Sequence, residues 1–287
     1  MRGVALLLAA TFLFSTSDAL AKILGTRLPV IEVGWIRYIA FILMMLAANP
    51  RALRASVRVR SVRTQVMRGV MLVTSAMLFI AALQFMALAD AASVGFVSPL
   101  LITMLSVPML GEVVGIRRWT AIGVGFLGVL IVIRPGTGAF HPAALLVIGS
   151  SLSWAVASIL TRRMAATEDS RATLLWSAAI GLLLLSLAVP FVWVKPSLEL
   201  LALNLLMGFV ASAGQYLMVL AYRHAGASLL APFSYIQLLW ATGFGFLFFG
   251  TLPDRMTLVG ALIIVASGLY TIHRERVRAR ERRLLPA

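Results

Sequence analysis

The chain has 287 residues, 61% apolar and 12% charged, against roughly 25% charged residues in an ordinary soluble domain. That balance excludes a water-soluble globule, and the apolar residues fall into runs of about 20, each long enough to cross a bilayer. The net charge of +15 does not point to nucleic acid, because 23 of the 25 basic residues are Arg, set in short loops between apolar runs, which is a topology signal.

In chain order the hydropathy predicts ten spans, over residues 2–24, 31–49, 68–89, 91–111, 117–134, 141–164, 171–193, 198–222, 226–250 and 254–273. Pro and Gly interrupt the fourth and the ninth. No polar linker separates two folding units, so a single bundle is expected. With the amino terminus inside, 19 basic residues fall on the cytoplasmic side, including Arg51, Arg63, Arg68 and the six-Arg tail, and five fall outside (Lys22, Arg27, Arg134, Lys195, Arg255). Positive residues favour the cytoplasm, so both termini are expected inside, in a bacterial inner membrane. Ala19-Leu20-Ala21 resembles a signal-peptide cleavage site, but the apolar run continues past it and cleavage would leave an odd number of spans. Trp35 and Trp193 are expected in the interfacial belt. The Arg-rich segments set orientation and touch anionic lipid head groups, at about 1 kcal/mol per basic residue near the surface.

The second half echoes the first. Ala92-Ser93-Val94-Gly95-Phe96-Val97-Ser98-Pro99-Leu100 matches Ala225-Gly226-Ala227-Ser228-Leu229-Leu230-Ala231-Pro232-Phe233 at an offset of 133. Each copy then reaches a glycine-marked turn, at Gly111 and at Gly250, and a helix rich in small residues. The first span aligns with the sixth at offset 140, pairing Phe14 with Trp154, Asp18 with Ser158 and Lys22 with Arg162. Five spans per half is an odd number, so the copies run in opposite directions as an inverted repeat. The units expected are residues 1–135, residues 141–273 and a basic tail, 274–287. Inverted repeats let two halves exchange conformations, and interrupted spans at matching positions, here Pro99 and Pro232, point to the binding site.

This pattern resembles the EamA-type, ten-span branch of the drug/metabolite transporter superfamily, up to about His273. The resemblance rests on the Pro99 segment ending in Leu110-Gly111-Glu112, on Pro232-Phe233-Ser234-Tyr235-Ile236-Gln237, and on Phe249-Gly250-Thr251-Leu252-Pro253-Asp254 with Gly260-Ala261-Leu262-Ile263 after it. Thr251 stands where many relatives have Glu. The resemblance implies an all-α membrane protein of two inverted five-helix repeats moving a small organic metabolite. Relatives are associated with amino-acid export, drug efflux, metallophore release and uptake of vitamins or cofactors such as riboflavin or S-adenosylmethionine.

Ionisable groups inside a bilayer are costly, and each is a functional candidate. Asp18 and Lys22, four apart, share a helix face, and Arg37 lies in the outer part of the second span with Glu32 above it. Three readings stand open: an outer gate, a site for a zwitterionic head group at Asp18 and Arg37, or a structural ion pair with Lys22 snorkelling to the interface. Gln84, Gln215, Tyr216, Tyr235, Gln237 and Trp240 offer neutral polar contacts at depth, and Trp154, with Ser153 and Ser158, extends the cavity. Interhelical hydrogen bonding is the favoured role for Gln84, and local salt bridging, with Arg117 and Arg118 nearby, or turn formation the favoured role for Glu112. Gln237 and Trp240 share a face.

With no Cys, thiolate chemistry and Cys-built metal sites are excluded, and His141, His224 and His273 lack metalloenzyme spacing. No phosphate loop or ATPase-sized soluble segment occurs, so secondary transport is expected, with no cofactor and no catalytic residue. The ten acids are scattered, unlike those of an intramembrane lipid-modifying enzyme. Export of an amino acid, opine-like metallophore or similar zwitterion is the expected activity, with vitamin or cofactor uptake the alternative. A monomer and a homodimer are both compatible, since small-xxx-small pairs such as Gly208 and Ser212 serve contacts within or between chains.

Overall fold

The computed structural model describes residues 2–48, 59–112, 114–136, 141–164, 167–224, 230 and 233–284. Among these are eleven α-helices and no strand. They are α1 (Arg2–Gly25), α2 (Val30–Ala48), α3 (Val62–Leu83), α4 (Leu88–Gly95), α5 (Ser98–Leu110), α6 (Ile116–Ile133), α7 (Ala143–Met164), α8 (Ser170–Ala188), α9 (Leu198–His224), α10 (Ile236–Phe249) and α11 (Arg255–Leu284). Eight stretches are long and apolar enough to cross a membrane, counting α4 with α5, and α10 and Arg255–Thr271 of α11 are two shorter apolar helices. The result is an all-α membrane bundle of ten crossings. Large apolar side chains such as Leu183, Leu187, Leu247 and Leu262 point outward, as a lipid-facing surface requires.

Polar residues set the helix ends. Ser61 accepts from Thr64 N at the start of α3, Asp169 from Arg171 N at α8 and Asp254 from Thr257 N at α11, each relieving an unpaired amide of the first turn. The apolar runs of α5 and α10 stop at Gly111 (φ 69°) and Gly250 (φ 64°). At each the glycine N–H returns to the carbonyl four residues back and the next N–H to the one six back. This double closure needs the left-handed backbone that glycine adopts without strain.

The two halves pack as images of one another. α1 lies along α9 and α7 along α3; α2 packs on α9 and α8 on α3; α10 packs on α1 and α5 on α7. α6 pairs with α11, α2 with α8 and α4 with α10. Exchanging the halves maps each of the first six onto another of them, and α6–α11 and α2–α8 onto themselves; the counterpart of α4–α10 involves residues largely outside those described. The match extends to single residues. A Cβ on Gly69 would lie 2.9 Å from the Ile180 Cβ, and one on Gly208 only 2.6 Å from the Ala40 Cβ. Gly69 and Gly208 are 139 apart in sequence, Ala40 and Ile180 140. With five crossings per half, the halves run in opposite directions.

Several boundaries differ from the expected ones. α3 begins at Val62, six residues before the predicted start, because the Ser61 cap lets Arg63 and Arg68 join the helix; Arg68 is therefore a buried helical residue and not part of a loop. The fourth span is two helices broken at Phe96–Val97, with Pro99 in the first turn of the second, where a missing N–H costs nothing. Pro232 lies outside the described residues. The last helix continues to Leu284, past the predicted end at His273. Trp35, expected in an interfacial belt, donates to Ser186 Oγ at 2.8 Å and meets Trp193 edge-on.

Candidate substrate cavity

Between the halves lies a cavity of about 540 Å³. α1 and α7 contribute equivalent walls, Thr11 and Phe14 opposite Ser151 and Trp154, related by the offset of 140. The broken fourth span adds Phe96, Ser98 and Pro99, and the start of α10 adds Tyr235 and Gln237. Phe96 and Tyr235 each stand 15 residues before the glycine that ends their span. They are thus structural equivalents at offset 139, not the 133 that relates the two prolines. Their rings meet with centroids 5.0 Å apart. The Tyr235 hydroxyl is buried without a hydrogen-bond partner among the described residues. It fits only because position 268 is glycine, where a Cβ would stand 1.8 Å from it.

Two opposite charges face this space. Asp18 on α1 is seven residues from the end of its helix and Arg37 on α2 seven from the start of its own. At 1.5 Å per residue both lie roughly 10 Å below the same face, the one opposite the start of α1. The Gln237 side chain hydrogen-bonds the Asp18 carboxyl, and the Arg37 guanidinium acts on it electrostatically. Gln215, Trp154 and the hydroxyls of Ser75, Ser150 and Ser212 complete a wall of neutral donors and acceptors beside aromatic faces. Such a surface can hold an amino and a carboxylate group at one end and an apolar or aromatic body beyond them.

Of the sequence candidates, Asp18, Arg37, Pro99, Trp154, Gln215, Tyr235 and Gln237 line the cavity, and Lys22, Gln84, Tyr216 and Trp240 do not. Lys22 shares a helix face with Asp18 but is taken by carbonyls at the end of α3, donating to Leu83 O at 2.8 Å and Met86 O at 2.5 Å. Gln84 donates to Gly25 O and so ties α3 to α1. Trp240 turns from the cavity and meets Phe12 edge-on at 5.3 Å. Glu32 accepts from Val194 N, tying α2 to the turn after α8. Glu112 pairs not with its neighbours in sequence but with Arg162 of the other half, at 2.8 Å. Sequence reading named Ser153 and Ser158, which do not line the cavity, and missed the hydroxyl residues that do, among them Ser75, Ser150, Ser177 and Ser212, and Arg68. The signal for the hydroxyls was their presence inside apolar runs, and for Arg68 the Ser61 cap that moves the helix start.

The EamA-like transporter family model matches residues 1–134 and again 141–272. The chain belongs to the EamA-like transporter family. It is a multi-pass membrane transporter, not an enzyme. Among similar curated proteins, the S-adenosylmethionine uptake transporter of Rickettsia prowazekii is 27% identical over 96% of this chain and 94% of its own length. The pseudopaline exporter of Pseudomonas aeruginosa is 28% identical over 92% and 94%, and the riboflavin transporter of Vibrio cholerae 28% over 99% and 97%. A solved crystal structure covering 96% of this chain and 97% of its own superposes with a TM-score of 0.65 at 19% identity, a likeness of fold alone.

Proposed function

We propose that this EamA-family protein is a secondary carrier of a zwitterionic, amino-acid-headed metabolite, held between the two repeats and moved by alternating access. One observation carries the reading: Asp18 and Arg37, at one depth, face a shared cavity otherwise lined by hydroxyls, amides, aromatic rings and aliphatic side chains such as Leu7, Leu100 and Met218. Asp18 would take the substrate amine, Arg37 its carboxylate, and Trp154, Phe14 and Phe96 the body. We place the repeats at residues 1–135 and 141–273 with a basic tail after them, both termini in the cytoplasm and the protein in a bacterial inner membrane, on the strength of the Arg distribution.

The net direction proposed is export, as for the similar pseudopaline exporter. Uptake is the second reading, favoured by the similar S-adenosylmethionine uptake transporters. Purified protein in liposomes, loaded with unlabelled amino-acid-headed solutes, should drive saturable counterflow of the labelled solute. Flux that never saturates would make it a channel, and binding without movement a sensor; either result sinks the carrier reading. Metabolite profiling of deletion and overexpression strains then decides direction, a compound retained inside the deletion strain meaning export and a nutrient taken from the medium meaning uptake.

A further inference from the structure

Asp18 and Arg37 cancel in formal charge, but a second guanidinium lies beside the cavity. Arg68, on α3, is 4% exposed. It donates through Nε to Thr161 Oγ1, and through one terminal nitrogen to Thr173 O and to the hydroxyl of Ser177. Ser177 lines the cavity. No carboxylate pairs with Arg68 among the described residues, where the ion pairs are Arg134–Asp254 and Arg162–Glu112. Glu168 and Asp169, the acids nearest in sequence to its partners, are engaged by backbone amides, Glu168 by Arg60 and Ser61 and Asp169 by Arg171. The titratable side chain that acts on Arg68 is the Tyr38 phenol. Buried cations are normally paired, so this charge is left to be matched by something that enters.

The pseudo-twofold strengthens the case. α2 and α8 are equivalent, and at offset 140 Ser177 stands where Arg37 stands in the other half. Arg68 reaches into that place from α3, so a guanidinium serves both symmetry-related positions. Arg68 is six residues into α3, roughly 9 Å from the face where α1 begins, while Arg37 is roughly 10 Å from the opposite face. A guanidinium therefore stands toward each end of the cavity, Arg37 in its wall and Arg68 behind Ser177, with an acid, Asp18, at one end alone.

We propose that Ser177 and Arg68 form a second anion subsite, and that the transported solute carries, beyond its amino-acid head, a distal carboxylate. This rests on the reading of the cavity as the substrate site. The solute is then a net anion; the Ser177 hydroxyl, which accepts from Arg68 and in this state donates its one hydrogen to Thr173 O, turns that hydrogen to the distal carboxylate when the solute binds.

The test uses an isosteric pair differing in that one group, 4-carboxy-L-phenylalanine and 4-carbamoyl-L-phenylalanine, with binding to the purified full-length protein in nanodiscs measured by calorimetry. The wild type should bind the carboxylate about tenfold or more tightly than the amide. Arg68→Gln should bring the two within about twofold, chiefly by weakening the carboxylate, and Arg68→Lys should restore part of the preference. Ser177→Ala, which leaves Arg68 its bonds to Thr161 and Thr173, should also reduce the preference and serves where Arg68→Gln does not fold. Equal binding of the pair by the wild type, binding of neither, or a preference that survives Arg68→Gln or Ser177→Ala overturns the subsite. Asp18→Asn separates this failure from the broader one: it should weaken both ligands together, and if it changes neither, the cavity itself is not the amino-acid site.

Discussion

Asp18 and Arg37 were legible in the sequence because a charge inside an apolar run stands out whatever the fold. Lys22 was equally visible, yet its place at the end of α3 could not be read, since it depends on where another helix stops. Hydrogen bonds to charged groups contribute about 1.5–3 kcal/mol each, roughly 10- to 150-fold in affinity. Asp18→Asn and Arg37→Gln should therefore each raise the KM for an amino-acid-headed solute at least tenfold at equal expression, whereas Lys22→Met should leave KM alone and lower thermal stability. A Lys22→Met variant that loses affinity but keeps its melting temperature would return Lys22 to the site. The packing of Tyr235 against Gly268 gives a second expectation. Gly268→Ala should impair transport by displacing the Tyr235 ring, and Tyr235→Phe, which removes the clashing oxygen, should recover part of it in the double variant.

The number of crossings and their helical kind were legible from hydropathy, because a bilayer demands about 20 apolar residues per crossing. Their joints were less so. The break at Phe96–Val97 and the early start of α3 depend on caps and local turns that a 19-residue window averages away. The α6–α11 pair shows how little room the packing leaves. A Cβ on Gly128 would stand 2.8 Å from Gly260 O, and one on Gly260 only 2.6 Å from Gly128 O. Near the other end of the same crossing Ser267 Oγ donates to Ala121 O. Backbone cannot yield as a flexible side chain does, and overpacking of this kind costs about 1–3 kcal/mol. Gly260→Ala should accordingly lower the melting temperature in detergent by several degrees, while Gly243→Ala, with open space around its Cβ position, should not.

Across the whole molecule, an ion pair near each face joins the halves among the described residues: Arg134 with Asp254, and Glu112 with Arg162. The Asp254 carboxyl is lowered to about 2, chiefly by the Arg134 hydrogen bond and then by the Thr257 N–H. A lowered carboxyl stabilises above its ordinary range, and that stabilisation is lost as pH falls through about 2. The pair is thus fully charged from pH 5 to 8, and Asp254→Asn should leave the shape of a transport pH profile over that window unchanged. Being largely exposed, it contributes about 0–1 kcal/mol. The sequence offered Glu112 only neighbours to pair with, because partners 50 residues away become visible only when the halves are docked. Inversion also turns the fold into its own ruler. If the halves exchange conformations, every distance in one state becomes the distance between the equivalent residues in the other: Glu112–Arg162 becomes Thr251–Lys22, but Phe96–Tyr235 maps onto itself. The chain has no Cys, so spin labels can be placed by single substitutions. A labelled 96/235 pair then serves as an internal blank, silent while a labelled 112/162 pair reports each turn of the cycle.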